Sequence, residues 1–396
     1  MYLTRLEEAA LAGEYGEAIR IAYEVIVKVG EALGAEKLIP INHAHISGIS
    51  YNNIGDPGLN FIREIMEKGG KFKVPTTINP IGLDLDDPTG IPGVTPEFIR
   101  KQKEIIDNIA SMGGKPVMTC TPYYVDRVQS GWHLAWGESS AVGYANTYIS
   151  AWTNREGGPL ALMAAIAGET YYSGVHIPEN RLPRTRFNVE YYENDQAVSS
   201  ILGEIIAMQT RIKQPLIKGI IGIREPEVKS MCAAAGAVGN IEMCIIPGIT
   251  KVNMDETRIE EEITVEKADI ITELEKYEPA SRPDIVFLGC PHVSVEELRD
   301  IARIALNHPG RAVNSFWVAA SRSVYNEALS EGIIGILKKK NIRVMRDTCI
   351  VVSPGWKETN ASVATNSFKT MFYMKRIHGL ESYLASVNKL VDLSFR

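Results

Sequence analysis

Five cysteines are the residues of this sequence with the greatest capacity for chemistry. Cys120, Cys290 and Cys349 each come at or just after a short apolar stretch, beside turn or polar residues. Three thiols from such distant segments could converge at one cleft. Three thiolates suit an iron–sulfur cluster with one iron left open as a Lewis acid. Because no Cys-x-x-Cys pair is present, buried and inert cysteine remains the alternative for each.

The remaining cysteines and the chain ends indicate the compartment. Cys232 lies in the Ala-rich stretch 231–235 and Cys244 in the apolar run 241–246, so both are predicted to be core residues. The N-terminus lacks a signal-peptide pattern, and no stretch approaches the roughly 20 apolar residues that span a bilayer. Together with an odd number of cysteines, these features predict a cytoplasmic protein without a disulfide framework or membrane contact.

Composition limits the possible architectures and partners. A chain of 396 residues with 45% hydrophobic content is expected to form two or three domains. The net charge of −6 and a charged fraction of 23% describe an ordinary globular protein. A dedicated nucleic-acid binder more often shows a basic excess, so no nucleic-acid partner is expected.

Short apolar stretches alternate with segments of helical spacing along the chain. The predicted strands are 37–41, 73–78, 115–119, 284–288 and 342–345, and the predicted helices are 59–69, 95–112, 197–213, 226–236, 256–277, 295–307, 322–339 and 366–390. This alternation predicts an α/β fold with largely parallel sheets. The polar stretches after the strands, including Asn42–Gly48, are predicted to be loops at the carboxyl ends of the strands, where such sheets bind ligands.

Two changes in composition divide the chain into three predicted regions. Residues 1–190 form an N-terminal α/β region that carries His45 and Cys120. Residues 191–280 form a middle α/β domain. Residues 281–396 form a C-terminal α/β domain that carries Cys290 and Cys349.

Eight stretches together resemble the aconitase X family, and they span essentially the whole chain. They are Asn42–Gly48, Thr76–Asn79, Thr119–Tyr124, Gly137–Asn146, Thr153–Gly158, Gly289–His292, Asp347–Cys349 and Asn366–Lys369. The resemblance implies an aconitase-like arrangement of three α/β domains around a central cleft, with Cys120, Cys290 and Cys349 as ligands of an iron–sulfur cluster. Ligation by three cysteines favours a [4Fe–4S] cluster, whereas a [2Fe–2S] cluster occurs in the hydroxyproline branch of the family.

The resemblance also implies a reaction and a partner. In archaeal members the implied activity is dehydration of (R)-5-phosphomevalonate to trans-anhydromevalonate 5-phosphate, a step towards isoprenoids. The resemblance further implies a small swivelling domain that supplies a serine base. This chain ends at Arg396, soon after its last predicted helix. We therefore expect a separate small subunit that forms a heterodimer or a higher assembly with this chain. The alternatives are a cis-3-hydroxyproline dehydratase and a non-catalytic iron–sulfur regulator that binds RNA, against which the pI of about 5.8 argues.

Three residues are candidates for acid–base chemistry. His45 could protonate or hydrogen-bond the departing hydroxyl, with Ser47 beside it in the same stretch. Glu138 could orient a histidine or contact iron-bound water. The alternatives are a structural histidine satisfied by the backbone and a surface Glu138 before a helix that Ser139 caps.

A substrate with a carboxylate and a phosphate also needs amide donors and cations. The candidates for substrate binding are Asn79, Ser139, Asn146, Asn154, Arg155, Lys357 and Lys369. Arg155 could hold an anion with two hydrogen bonds, or could instead pair with Glu156. Lys369 is predicted at a helix N-terminus, which favours anions. Each asparagine could equally fill a turn.

Overall fold

The computed structural model of the chain describes residues 1–210, 214–252 and 254–396. Its strands form three parallel sheets and one antiparallel strand pair across these ranges. The α/β class and the mostly parallel sheets are those that the sequence predicts. Within the described residues, every helix is too short or too polar to cross a membrane.

The N-terminal part builds a three-stranded sheet flanked by helices. Its helices are α1 (Arg5–Leu11), α2 (Glu17–Ala32), α3 (Tyr51–Glu67), α4 (Pro96–Ser111), α5 (Ser139–Tyr144) and α6 (Gly158–Ala167), and its strands are β1 (Leu38–Pro40), β2 (His43–Ile46), β3 (Thr76–Ile78), β4 (Leu134–Trp136) and β5 (Glu169–Tyr171). The sheet has the parallel order β3-β2-β4, while β1 and β5 pair in antiparallel fashion. Thr95 caps α4, with Pro96 in its first turn.

The middle part contains a second parallel sheet. Its strands are β6 (Thr185–Val189), β7 (Leu216–Lys218) and β8 (Glu261–Val265), in the order β7-β6-β8, and its helices are α7 (Gln196–Gln209), α8 (Glu225–Val238) and α9 (Lys267–Tyr277). Strand β6 ends just before the region boundary predicted at residue 190, and it pairs with β7 and β8. The last three residues of the helix predicted over 197–213 lie outside the described residues.

The C-terminal part contains a five-stranded parallel sheet in the order β11-β10-β9-β12-β13. Its strands are β9 (Ile285–Leu288), β10 (Ser315–Ala320), β11 (Ile342–Arg346), β12 (Val363–Thr365) and β13 (Ser382–Leu384), and its helices are α10 (Val295–Asn307), α11 (Arg322–Ser330), α12 (Ile333–Lys339), α13 (Phe368–His378) and α14 (Val387–Ser394). Ser294 caps α10 with Glu297 in a reciprocal capping box.

Five predicted elements differ from the structure. The helix predicted over 322–339 is divided into α11 and α12, because Gly332 between them takes a left-handed conformation. The predicted loop at 42–48 contains strand β2. Residues 43–46 are buried, and the strand that they form pairs with β3 on one side and β4 on the other. The helix predicted over 256–277 is wrong in its first half, where β8 alternates in burial and pairs with β6. The helix predicted over 366–390 ends at His378, because Gly379 takes a left-handed conformation. The strand predicted over 115–119 is reduced to a single bridge from Met118 to Ile78.

The sheets of the N-terminal and C-terminal parts share one apolar core. Ile46 and Ile78 of the first sheet belong to the same buried cluster as Phe287 and Met345 of the third. This packing brings the carboxyl ends of β2, β3, β4, β9 and β11 to a common region, and the residues that follow these strands face one another there.

Candidate active site

A pocket of about 240 Å³ lies where these strands end. Nine of the residues predicted from the sequence line it: Ser47, Asn79, Cys120, Glu138, Ser139, Arg155, Cys290, Cys349 and Lys369. They come from the ends of separate strands and from the start of α13, so folding unites positions that are up to 322 residues apart (369 − 47). The convergence of the three thiols on one cleft is therefore a feature of the structure.

The three pocket cysteines are free thiols in a desolvated environment. Cys120 and Cys290 are each 8% exposed. Burial raises the pKa of Cys120 well above its ordinary value and that of Cys349 to about 12. The backbone N–H of His292 donates to Cys120 Sγ at 3.1 Å. A bound metal cation reverses this preference, because it stabilises the thiolate form directly.

The chemistry of the donor set fits an iron–sulfur cluster. Among the described residues, no group of three His, Cys, Asp or Glu side chains could hold one metal ion together. Three thiols that surround one open pocket do fit the three protein ligands of an iron–sulfur cluster. The Thr370 and Ser367 hydroxyls hydrogen-bond the thiol of Cys290, and this lowers its pKa against the larger, opposite effect of burial.

A buried ion pair lines the same pocket as these thiols. Lys369 Nζ donates to Glu138 Oε1 and, at 3.1 Å, to Ser139 Oγ. Burial alone would raise the pKa of Glu138, but Lys369 and Asn79 outweigh it and hold that pKa well below its usual range. Burial would likewise lower the pKa of Lys369, but the Glu138 carboxylate holds it above its usual value. The pair therefore keeps both charges at neutral pH.

A hydrogen-bond chain connects this ion pair to β2 and β3. Asn79 Nδ2 donates to Glu138 Oε2 at 2.9 Å, and Asn79 Oδ1 lies 3.2 Å from His45 Nε2. The other ring nitrogen of His45 lies 2.8 Å from Thr77 Oγ1. His45 is 0% exposed, and burial lowers its pKa to about 4, so it is neutral at pH 7. Because an amide oxygen only accepts, Nε2 carries the hydrogen, and His45 reaches the pocket through Asn79.

Arg155 is the exposed cation of the pocket. Its guanidinium donates to Gly236 O at 3.2 Å and to Asn240 Oδ1 at 2.6 Å. Among the described residues it has no carboxylate partner, and the predicted alternative partner Glu156 is buried against Tyr171 instead. Arg155 therefore has donors available for an anionic ligand.

The structure does not bring three of the predicted substrate-binding residues to this pocket. Asn146 is fully buried, and its amide bonds Thr153, Glu242 O and Arg181. Asn154 donates to Ser173 O and accepts from Val175 N. Lys357 is exposed in a short 3₁₀ turn. The two asparagines use their hydrogen-bonding capacity to connect backbone segments.

The pocket residues that sequence reasoning missed include Asn53, Tyr373 and Ile377. Asn53 is exposed in the first turn of α3, and the other two lie on α13. An exposed asparagine and two helical side chains four positions apart form no sequence motif that would indicate a binding site. The periodicity along α13 places Tyr373 and Ile377 on the face of Lys369, which is the signal that could have found them.

Comparison with known protein families matches three successive parts of this chain to three domains of one family. Models of the first, second and third aconitase X domains match residues 1–179, 183–275 and 283–396. The phosphomevalonate dehydratase large subunit of Aeropyrum pernix is 45% identical over 99% of this chain and 100% of its own length. The chain belongs to the aconitase X family. An iron–sulfur cluster is what this family of aconitase-like dehydratases implies.

Two other comparisons define its place in the family. The crystal structure of Thermococcus kodakaraensis aconitase X in its holo-form superimposes with a TM-score of 0.92 at 36% identity, and the match covers 100% of both chains. The cis-3-hydroxy-L-proline dehydratase of Hypocrea jecorina is 28% identical over 98% of this chain but only 68% of its own length. This chain is thus more similar to the phosphomevalonate dehydratase large subunit than to the hydroxyproline enzyme.

Proposed function

We propose that this chain is the large, catalytic subunit of a hydro-lyase that dehydrates (R)-5-phosphomevalonate to trans-anhydromevalonate 5-phosphate. The similarity to a phosphomevalonate dehydratase large subunit over the full length of both chains carries the proposal. The pocket supports it, because three thiols, a buried ion pair and an exposed arginine share one cavity. These groups match the needs of a substrate that carries a carboxylate, a phosphate and a poor leaving group.

Cys120, Cys290 and Cys349 would hold the iron–sulfur cluster, and we favour the [4Fe–4S] form over [2Fe–2S]. When bound, the cluster supplies a Lewis acid that polarises the substrate carboxylate and hydroxyl. The remaining positive charge comes from the protein itself. Arg155 would bind an anionic group of the substrate with its free donors, and the Lys369 ammonium would add its field at the same wall.

Glu138 and its neighbours would orient the reacting hydroxyl. Since its pKa is held low, Glu138 stays ionised and accepts a hydrogen bond rather than supplying a proton. His45 and Asn79 would fix the orientation of this carboxylate. Ser47 and Ser139, which also line the pocket, would hydrogen-bond substrate oxygens. Asn146 and Asn154 would instead connect backbone segments, and Lys357 would have no part in the pocket.

The base that removes the carbon-bound proton would come from a separate small subunit. The relative from Aeropyrum pernix is named a large subunit, which implies a small partner for that protein. By analogy with aconitase, we propose a swivelling domain whose serine enters the pocket and completes a heterodimer. The substrate would be enclosed between the two chains, which excludes water from the reaction.

The test uses the complex of this chain with its candidate small subunit, purified without oxygen. We expect loss of water from (R)-5-phosphomevalonate, and we expect Cys120→Ala, Cys290→Ala and Cys349→Ala each to abolish both iron binding and the reaction. Cys232→Ala is the matched control, because Cys232 is buried in α8 outside the pocket. An iron-loaded complex that dehydrates cis-3-hydroxyproline and leaves phosphomevalonate unchanged would overturn the proposed substrate.

A further inference from the structure

We propose that His292 is a positioning residue that holds the three cysteine-bearing segments in place and thereby determines how firmly the protein retains its cluster. The inference rests on the cluster assigned under the proposed function. His292 lies two residues after Cys290 and does not line the pocket. It is nevertheless 0% exposed and hydrogen-bonds the other two segments.

Three hydrogen bonds carry the argument. The backbone N–H of His292 donates to Cys120 Sγ at 3.1 Å. Its Nδ1 lies 3.1 Å from the hydroxyl of Thr119, and its Nε2 lies 2.9 Å from the carbonyl of Thr348. Thr119 directly precedes Cys120, and Thr348 directly precedes Cys349. His292 thus joins, through hydrogen bonds, the three segments that carry the proposed cysteine ligands.

The chemistry of these partners fixes the tautomer of the ring. A carbonyl oxygen only accepts, so His292 Nε2 carries the hydrogen and donates to Thr348. Nδ1 must then accept, and Thr119 Oγ1 donates to it. This direction leaves the lone pairs of Thr119 Oγ1 free for the backbone N–H of Thr121, which donates to it at 3.1 Å. The Cys120 segment is therefore held on both sides of its thiol.

The main chain of His292 is fixed from the opposite side. Lys229 of α8 is fully buried, and its Nζ donates to His292 O at 3.0 Å and to the Glu297 carboxylate at the start of α10. Lys229 therefore connects the His292 carbonyl to α8 and to the start of α10. Such outer hydrogen bonds orient metal ligands, and their removal typically reduces metal affinity or activity about 10- to 100-fold.

The role predicts effects that a general packing role would not. His292→Ala removes both ring hydrogen bonds but keeps the N–H to Cys120. His292→Gln keeps a side-chain N–H near the position of Nε2, so it should restore the bond to Thr348 alone. His176→Ala is the matched control, because His176 is also 0% exposed but bonds His133, away from the cysteines.

The experiment measures the rate at which a chelator removes iron from each oxygen-free complex, together with the electron paramagnetic resonance spectrum of the reduced cluster. We expect His292→Ala to lose iron about 10- to 100-fold faster than the wild type with an altered spectrum, and His292→Gln to lie between them. His176→Ala should match the wild type in both measurements.

The outcomes separate this inference from the proposed function. A wild type that holds its cluster, beside a His292→Ala variant with an unchanged rate and spectrum, would overturn the positioning role alone. A wild type without iron would overturn the cluster and this inference together. If His292→Ala fails to fold, as judged by circular dichroism, His292→Gln decides: wild-type iron retention and an unchanged spectrum in that variant would contradict the role of the ring.

Discussion

Charge is distributed unequally among the residues of the pocket. Burial raises the pKa of the three thiols and so disfavours their thiolate forms unless a metal binds, whereas Glu138 and Lys369 stay charged because each stabilises the other. Their side chains are only 12% and 9% exposed, so water screens this pair weakly. The energetic consequences of losing one partner should therefore be large.

Lys369→Met should destabilise the protein by about 3–5 kcal/mol, because it leaves the Glu138 carboxylate buried without its cation. The double variant Lys369→Met with Glu138→Gln should recover much of this loss, since no unpaired charge remains. Urea denaturation of the isolated chain measures both changes. A loss below about 1 kcal/mol in the single variant would show that the pair behaves like an exposed salt bridge.

Glu156 gives a prediction about pH. Burial raises its pKa from the ordinary value of 4.5 to about 7, although Tyr171 and Thr170 donate to it. Between these values the unfolded chain ionises and the folded chain does not, so stability is lost as pH rises. Glu156→Gln removes this loss and should gain on the wild type by about 1.4 kcal/mol per pH unit from pH 5 to 7.

The measurement compares urea unfolding of wild type and Glu156→Gln at several pH values. Above pH 7 the difference in the free energy of unfolding between the two proteins should level off. Glu156 is then ionised in both the folded and the unfolded wild type. A difference in the free energy of unfolding that does not vary with pH would contradict a buried, protonated Glu156. Glu179→Gln offers a control, since Glu179 is exposed in a short 3₁₀ helix.

Residue type alone indicated part of this site. Cys120, Cys290 and Cys349 could be singled out because each lies at or just after an apolar stretch beside turn or polar residues, and the resemblance to the family connected them. Asn146 and Asn154 have the same residue type as Asn79, and only the folded chain shows that their amides bond backbone groups. The sequence contains no signal for which asparagine faces the pocket.

At the scale of elements, strand β2 shows why one prediction failed. The stretch at 42–48 contains two histidines and a serine, which are typical of a loop. In the fold, Trp136 Nε1 donates to His43 Nδ1 at 3.0 Å, and His45 bonds Thr77 and Asn79. These partners come from β3 and β4 and the loops after them, so the tertiary structure overrides a local polar pattern. Segments with strong local periodicity, such as α4 and α10, were predicted closely.

Two glycines let β2 approach its neighbours closely. A Cβ atom at Gly158, the first residue of α6, would overlap the carbonyl oxygen of Ser47, and one at Gly137 would overlap its hydroxyl. Gly158→Ala should therefore displace the segment after β2 and destabilise the protein by about 1–3 kcal/mol. Thermal unfolding at one fixed pH measures this change.

Gly335→Ala is the matched control for that substitution. Gly335 lies within α12, and an added Cβ there meets nothing within 4 Å. Alanine should stabilise this helix by about 0.4–1 kcal/mol, because it restricts the unfolded chain. Equal effects of the two substitutions would mean that contact with Ser47 does not limit residue 158.

At the scale of the whole molecule, the N-terminal and C-terminal parts form a joint framework for the pocket. They share an apolar core, and the buried Asp84 accepts from the backbone N–H and from Nε of Arg346, both at 3.0 Å. The sequence predicted the order of α/β regions, because that follows from local alternation. It did not predict which sheets share a core, because such contacts join residues that are distant in sequence.

The mouth of the pocket should be part of the contact with the small subunit. Ile377 lines the pocket and is 48% exposed, an apolar side chain that a partner closing over the cluster would cover. Ile377→Glu should weaken the complex about 10-fold or more, which corresponds to about 1.4 kcal/mol, because a charge would be buried at the interface. Titration of the labelled small subunit, followed by fluorescence anisotropy, measures the dissociation constant. Leu306→Glu is the control, since Leu306 is 55% exposed on α10 and does not line the pocket. If both variants bind the small subunit as the wild type does, the partner contacts another face, and the pocket must be closed without a contact at Ile377.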